Sequence, residues 1–184
     1  MKRLLMLLLL PLCICFADAP SEEPVEELVQ KLLVSMQKRL DMMHDVARYK
    51  WNANLPVEDK GREKELLTQL VAKAALYGIN NEWAENFLQS QMDAAKLLQE
   101  HDIAQWKKEE ASLFSNVPDL KTEIRPRLDV VTEEIFHTLA VLGPHLQTPL
   151  LTQAVLQQGG AIGRTFPEEV WKKAVTPLAH KPAL

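Results

Sequence analysis

The chain has 184 residues and a formal net charge of −4, long enough for one domain with a sizeable core. That mild acidity argues against nucleic acid as a partner and means that an anionic ligand would need a local cluster of cations. Both cysteines fall among the first 19 residues, so the fold beyond them must rest on packing without disulfides.

Residues 1–19 read as a secretory signal that is cleaved. Lys2 and Arg3 form a basic start, Leu4 to Phe16 an apolar run, and Ala17-Asp18-Ala19 a small-residue cleavage site. The run is too short for a membrane helix, and Cys13 and Cys15 lack the small residues that precede a lipid-modified cysteine. The expected product, residues 20–184, is exported to the periplasm or the medium and has no stable membrane anchor. Loss of two cations and one anion takes its charge to −5.

The remainder reads as helix. No sustained period-2 alternation and no Asn-Gly or Asp-Gly hairpin signal occurs. A first helix spans about 24–51, opened by Ser21 or Pro24, with acidic residues suited to its positive end. A second covers about 58–77 and stops at Gly78. A third starts near Asn81 and runs towards Phe114. After a 115–119 linker, a fourth carries apolar residues from Ile124 to Leu142 at steps of three and four, with Pro126 in its first turn. Two shorter helices, about 149–157 and 167–175, are separated by Gly159-Gly160. The expected fold class is all-α, a single-domain bundle of about six helices.

Charges interrupt the apolar stripes. On the first helix Leu32, Met36, Arg39, Met43, Val46 and Lys50 share one face. Arg39 and Lys50 are separated by about 16 Å along the axis, three turns apart, so both can reach one ligand; equally, each can snorkel to water. On the second, Asp59, Arg62 and Glu63 share a face with Leu66 and Leu70, which is also the spacing of an ordinary exposed ion pair. On the third, Gln91, Ala95 and Gln99 line up, although a glutamine there can simply satisfy a helix contact. Taken together the three faces outline a polar pocket suited to a dianion. No Ser–His–Asp set, phosphate loop or Cys/His cluster competes with it. Glu134 and His137 form a lone E-x-x-H, and a di-metal site would need a second; no metal is expected.

The run from Arg39 through Val46-Ala47-Arg48-Tyr49-Lys50-Trp51, then Pro56-Val57-Glu58-Asp59-Lys60-Gly61-Arg62-Glu63, resembles the secreted chorismate mutases, the gamma subclass of the all-helical chorismate mutases. The likeness continues through Phe87, Gln91, Ala94-Ala95-Lys96 and Gln99, and resumes at Asp119-Leu120 and Ile124 to Asp129. It implies an isomerase that converts chorismate to prephenate with no cofactor, in a helical protein, often a homodimer, with a complete site in each chain. By that resemblance Arg39 and Arg62 bind carboxylates. Lys50 and Gln99 are the catalytic pair at the ether oxygen, Glu63 accepts from the substrate hydroxyl, and Asp59 lines the same end. Two positions depart from the pattern. Ala95 stands where relatives often have Ser or Thr, and Glu134 aligns with a further arginine of at least one relative. Arg127, two turns before Glu134 on the same face, is the expected substitute, with Arg125 as second choice. The departures also suit a second reading, a catalytically inactive binding or effector protein of the same fold; a helical scaffold is a third, and leaves the aligned cations unexplained.

Overall fold

The computed structural model describes residues 23–179. The expected signal, residues 1–19, and the alternative helix opener Ser21 lie outside the described residues. Within them the chain forms six α-helices and no strand: α1 Val25–Asn52, α2 Lys60–Leu76, α3 Asn81–Lys108, α4 Arg125–Leu142, α5 Pro149–Ile162 and α6 Glu168–Ala179. A π-helical turn, Leu120–Ile124, leads directly into α4.

Local chemistry explains most boundaries. Glu26 and Glu27 sit in the first turn of α1 and Lys50 in its last, each favourable to the helix dipole. Asp59 caps α2, its Oδ1 accepting from the Arg62 amide at 3.1 Å, and Asn80 caps α3 through the Trp83 amide at 3.1 Å. Between them Gly78 takes φ 75°, the left-handed geometry that ends a helix most readily at glycine.

The long helix α1 is the centre of the bundle and packs on α3, α4 and α5, while α2 and α6 pack on α3. Leu32, Leu33, Met36 and Leu40 of α1 are fully buried, alongside Phe87 and Leu98 of α3 and Ile135, Phe136 and Leu139 of α4.

Two boundaries differ from the sequence reading. Helix α3 ends at Lys108, not near Phe114. Glu110 turns to φ 50°, and Phe114 folds back so that Asn52 clasps its backbone twice, at 2.8 Å and 2.9 Å. The Phe114 ring then packs 4.6 Å from Trp106. Nor do Gly159 and Gly160 separate two helices, since α5 runs through them to Ile162. A Cβ at Gly159 would lie in ordinary contact with the Trp171 indole nitrogen, at 3.5 Å, and one at Gly160 would meet nothing within 4 Å, whereas one at Gly163 would lie only 2.2 Å from the Trp171 ring. It is Gly163 that makes room for the α6 tryptophan, and the break comes there.

Helix α6 contains Pro177. Proline has no N–H, so the carbonyl four residues earlier, Lys173, loses its partner within the helix. Ser90 Oγ of α3 donates to that carbonyl at 2.6 Å, and Gln91 Nε2 donates to the next, Ala174, at 2.8 Å.

Candidate active site

A cavity of about 770 Å³ opens where α1, the α1–α2 loop, α2, α3 and the start of α4 meet, within the range of small-molecule sites. Arg39, Lys50, Asp59, Arg62, Glu63 and Gln99 all line it. Their faces converge because α1 and α2 both pack on α3, which presents Ala95 and Gln99 at successive turns.

Arg39 leaves the apolar stripe between the buried residues Met36 and Met43. Its Nη1 donates to the Gln91 carbonyl at 3.4 Å, a long bond that leaves most of its five donors unused. Burial pulls its pKa well below the usual arginine range, to about 10, the direction expected of a cation short of water and of partners. Lys50 is half-buried and donates to the Val57 carbonyl at 2.7 Å. Loss of water lowers its pKa, partly offset by Glu63 and Asp59. Arg62 is exposed at the mouth.

Gln99 is 4% exposed. Its amide nitrogen donates to the Ala95 carbonyl one turn back at 2.9 Å and touches Met43 Sδ at 3.7 Å. Thioether sulfur is a weak acceptor, so the N–H aimed at it can be given to a better one. Glu63 Oε1 accepts from the Asp59 amide at 3.2 Å, and Oε2 from Lys96 at 2.8 Å.

The lining also includes Glu58, Lys96, Arg125, Leu128, Asp129 and Thr132. Cations and carboxylates are nearly balanced in number, but their commitments differ. Glu58 and Glu63 pair with Lys96, and Asp59 caps α2. By contrast no carboxylate lies within 4.0 Å of Arg39, Lys50, Arg62 or Arg125 among the described residues. Four cations of the lining thus have no carboxylate partner among the described residues, and Arg39 and Lys50 donate to backbone carbonyls instead.

Arg127 is placed elsewhere. It lines a separate cleft with Lys38, Asp41 and Asp45 on the other side of the α1–α4 contact. Glu134 shares that side, accepting from Ser35 Oγ at 3.1 Å and Lys38 at 3.4 Å. So Arg127 and Glu134 do share a face, as their spacing requires, but it is not the cavity face. Arg125 lies about 200° around the helix from Arg127, and it, not Arg127, lines the cavity. His137 packs edge-on against Tyr77 at 4.9 Å, away from Glu134's partners.

Lys96 and Asp129 belong to the stretches that carry the family resemblance, but the sequence gives neither a role in the pocket, and Thr132 is not marked at all; only the placement of α2 shows that Lys96 faces Glu63.

An all-helical domain with a cation-lined, amide-bearing cavity defines a class of small-anion sites. Comparison narrows it. The family model described as Chorismate mutase type II matches residues 25–100, the stretch that carries Arg39, Lys50, Asp59, Arg62, Glu63 and Gln99. The chain is 25% identical over 134 residues to the secreted chorismate mutase of Mycolicibacterium smegmatis, covering 73% of this chain and 71% of that one. It is 29% identical over 109 residues to the secreted chorismate mutase of Yersinia pestis, covering 54% and 57%. The crystal structure of chorismate mutase from Burkholderia thailandensis superposes with a TM-score of 0.75 at 25% identity, over 82% of this chain and 98% of that one. Residues 25–100 thus match the chorismate mutase type II family model, and the chain shares the fold of a chorismate mutase crystal structure. Among the described residues no helix is long and apolar enough to cross a membrane.

Proposed function

We propose that the protein is an exported chorismate mutase that isomerises chorismate to prephenate in this cavity. The observation that carries the reading is the set of cations without carboxylate partners, Arg39, Lys50, Arg62 and Arg125, around one hollow that Gln99 also lines. Chorismate carries two carboxylates, a hydroxyl and an ether oxygen. The rearrangement is unimolecular and needs neither nucleophile nor proton transfer. The chain's residues hold the substrate in its compact chair-like conformer and stabilise the negative charge that grows on the ether oxygen as the C–O bond breaks. Arg39 and Arg62 hold carboxylates, and planar pairing fixes orientation as well as position. Arg125 takes the place first expected of Arg127 as a further carboxylate ligand. Lys50 and Gln99 donate to the ether oxygen: Lys50 exchanges the Val57 carbonyl for it, and Gln99 gives up its weak sulfur contact. Glu63 accepts from the substrate hydroxyl, and Asp59 orders the same wall.

Residues 1–19 form the cleaved signal, residues 20–184 form one catalytic domain, and the product acts in the periplasm or the medium. The support is the basic–apolar–small pattern of the first 19 residues together with relatives named as secreted enzymes. A homodimer with a complete site in each chain follows the family pattern.

Kinetics of two variants test the roles. Lys50→Ala should lower kcat by about 100-fold or more, because the charge it meets is largest in the transition state. Arg39→Ala should harm both kcat and KM, since a carboxylate is bound throughout. A Lys50→Ala enzyme changed in KM alone would contradict the assignment.

A further inference from the structure

Lys96 is a cavity residue to which the reaction, as derived above, gives no role. Its ammonium lies 2.8 Å from Glu63 Oε2, 3.9 Å from Glu58 Oε1 and 3.9 Å from Asp93 Oδ1. The Lys96 and Glu63 side chains are only 24% and 22% exposed, so the pair is neither a freely solvated surface bridge nor a fully desolvated one. With three carboxylates about it, the Lys96 charge is already matched. It is therefore a poor partner for a carboxylate of the substrate, unlike Arg39 or Arg125.

Its effect on Glu63 is specific. One Glu63 oxygen is fixed by the Asp59 amide of the α2 cap and the other by Lys96. Two anchors at the two oxygens set the plane of the carboxylate, whereas either one alone would leave it free to rotate. They also use acceptor capacity in a known way: an ionised carboxylate has about four lone-pair sites, so both oxygens can still accept from a hydroxyl. Lys96 belongs to α3 and Glu63 to α2, and the contact ties the two walls of the cavity together at the point where the hydroxyl is to be bound.

We propose that Lys96 is a positioning residue for the reaction: by pairing with Glu63 it holds that carboxylate oriented to accept from the substrate hydroxyl. The proposal rests on the chorismate mutase reading. Lys96 touches no reacting atom and acts only through Glu63.

A double-mutant cycle tests this. Measured on the full mature protein, Lys96→Met should lower kcat/KM for chorismate by about tenfold, while Lys96→Arg, which keeps a cation within reach, should stay within about threefold of wild type. In a Glu63→Gln background, Lys96→Met should cost less than about twofold, because the group it orients is gone. Unchanged thermal unfolding of Lys96→Arg and Glu63→Gln secures the comparison against loss of fold. Additive effects of the two substitutions, a harmless Lys96→Met, or no rescue by arginine would overturn the role of Lys96 while leaving the enzyme reading intact. A wild-type protein that does not turn over chorismate would overturn that reading itself.

Discussion

Lys50 reaches the cavity with much of its water removed, and that sets how its work depends on pH. Burial lowers its pKa below the ordinary 10.5, so the cation is lost as pH rises through the lowered value. In the proposed mechanism the cationic form is the one that stabilises the ether oxygen. kcat/KM, which reports the free enzyme, should therefore fall on an alkaline limb whose midpoint lies below 10.5. A profile still flat through that pH would contradict a catalytic role for the Lys50 charge. The two α4 arginines give a second test at this scale. Arg125 lines the cavity and Arg127 the neighbouring cleft, so Arg125→Ala should raise KM about tenfold or more and Arg127→Ala leave it within about twofold. The reverse order would mean that the second carboxylate is held from the other face. The sequence allowed both choices because spacing relates Arg127 to Glu134 correctly but does not say which face of α4 meets the hollow. That depends on how α4 packs on α1, and on the π turn that precedes it.

At the scale of the element, the junction of α3 and α6 carries a stability prediction. Ser90 supplies the donor that Pro177 removes from α6. Ser90→Ala would take the donor from the part-buried Lys173 carbonyl, at a cost of about 1 kcal/mol, the net worth of an ordinary hydrogen bond. Restoring an N–H with Pro177→Ala in the same chain should recover much of that loss. Denaturant unfolding of the single and double variants measures it; equal loss with and without the proline would show that Ser90 is not acting as the substitute donor. These same contacts lie outside what a sequence shows. The caps at Asp59 and Asn80 and the apolar stripes of α1 and α4 are local, and the helices they mark are found close to their expected limits. The end of α3 depends instead on Asn52, 62 residues away from Phe114. The end of α5 at Gly163 depends on Trp171, whose ring takes the space a Cβ there would need, whereas Gly159 and Gly160 read as a break but stay helical.

Across the whole molecule, the cavity is assembled from α1, α2, α3 and α4, and its chemistry was largely visible beforehand because charges on an apolar stripe are costly unless something pairs with them. Arg39 and Lys50 on α1, Arg62 and Glu63 on α2 and Gln99 on α3 each had an ordinary explanation alone. Only their convergence separates a site from three snorkelling faces, and convergence is a property of packing. The same packing pairs Glu58 and Glu63 with Lys96, while among the described residues four cations of the cavity have no carboxylate partner. The central claim is that those cations serve a dianion that rearranges. The direct measurement is of purified residues 20–184 mixed with chorismate and chelator, with prephenate followed over time. The account predicts turnover at least 10⁴-fold above the uncatalysed rate, a modest figure beside the about 10⁶-fold or more typical of enzymes, and no dependence on the chelator. Formation of prephenate at the uncatalysed rate, with chorismate bound but unchanged, would contradict it and identify the protein as a binding relative of the enzymes.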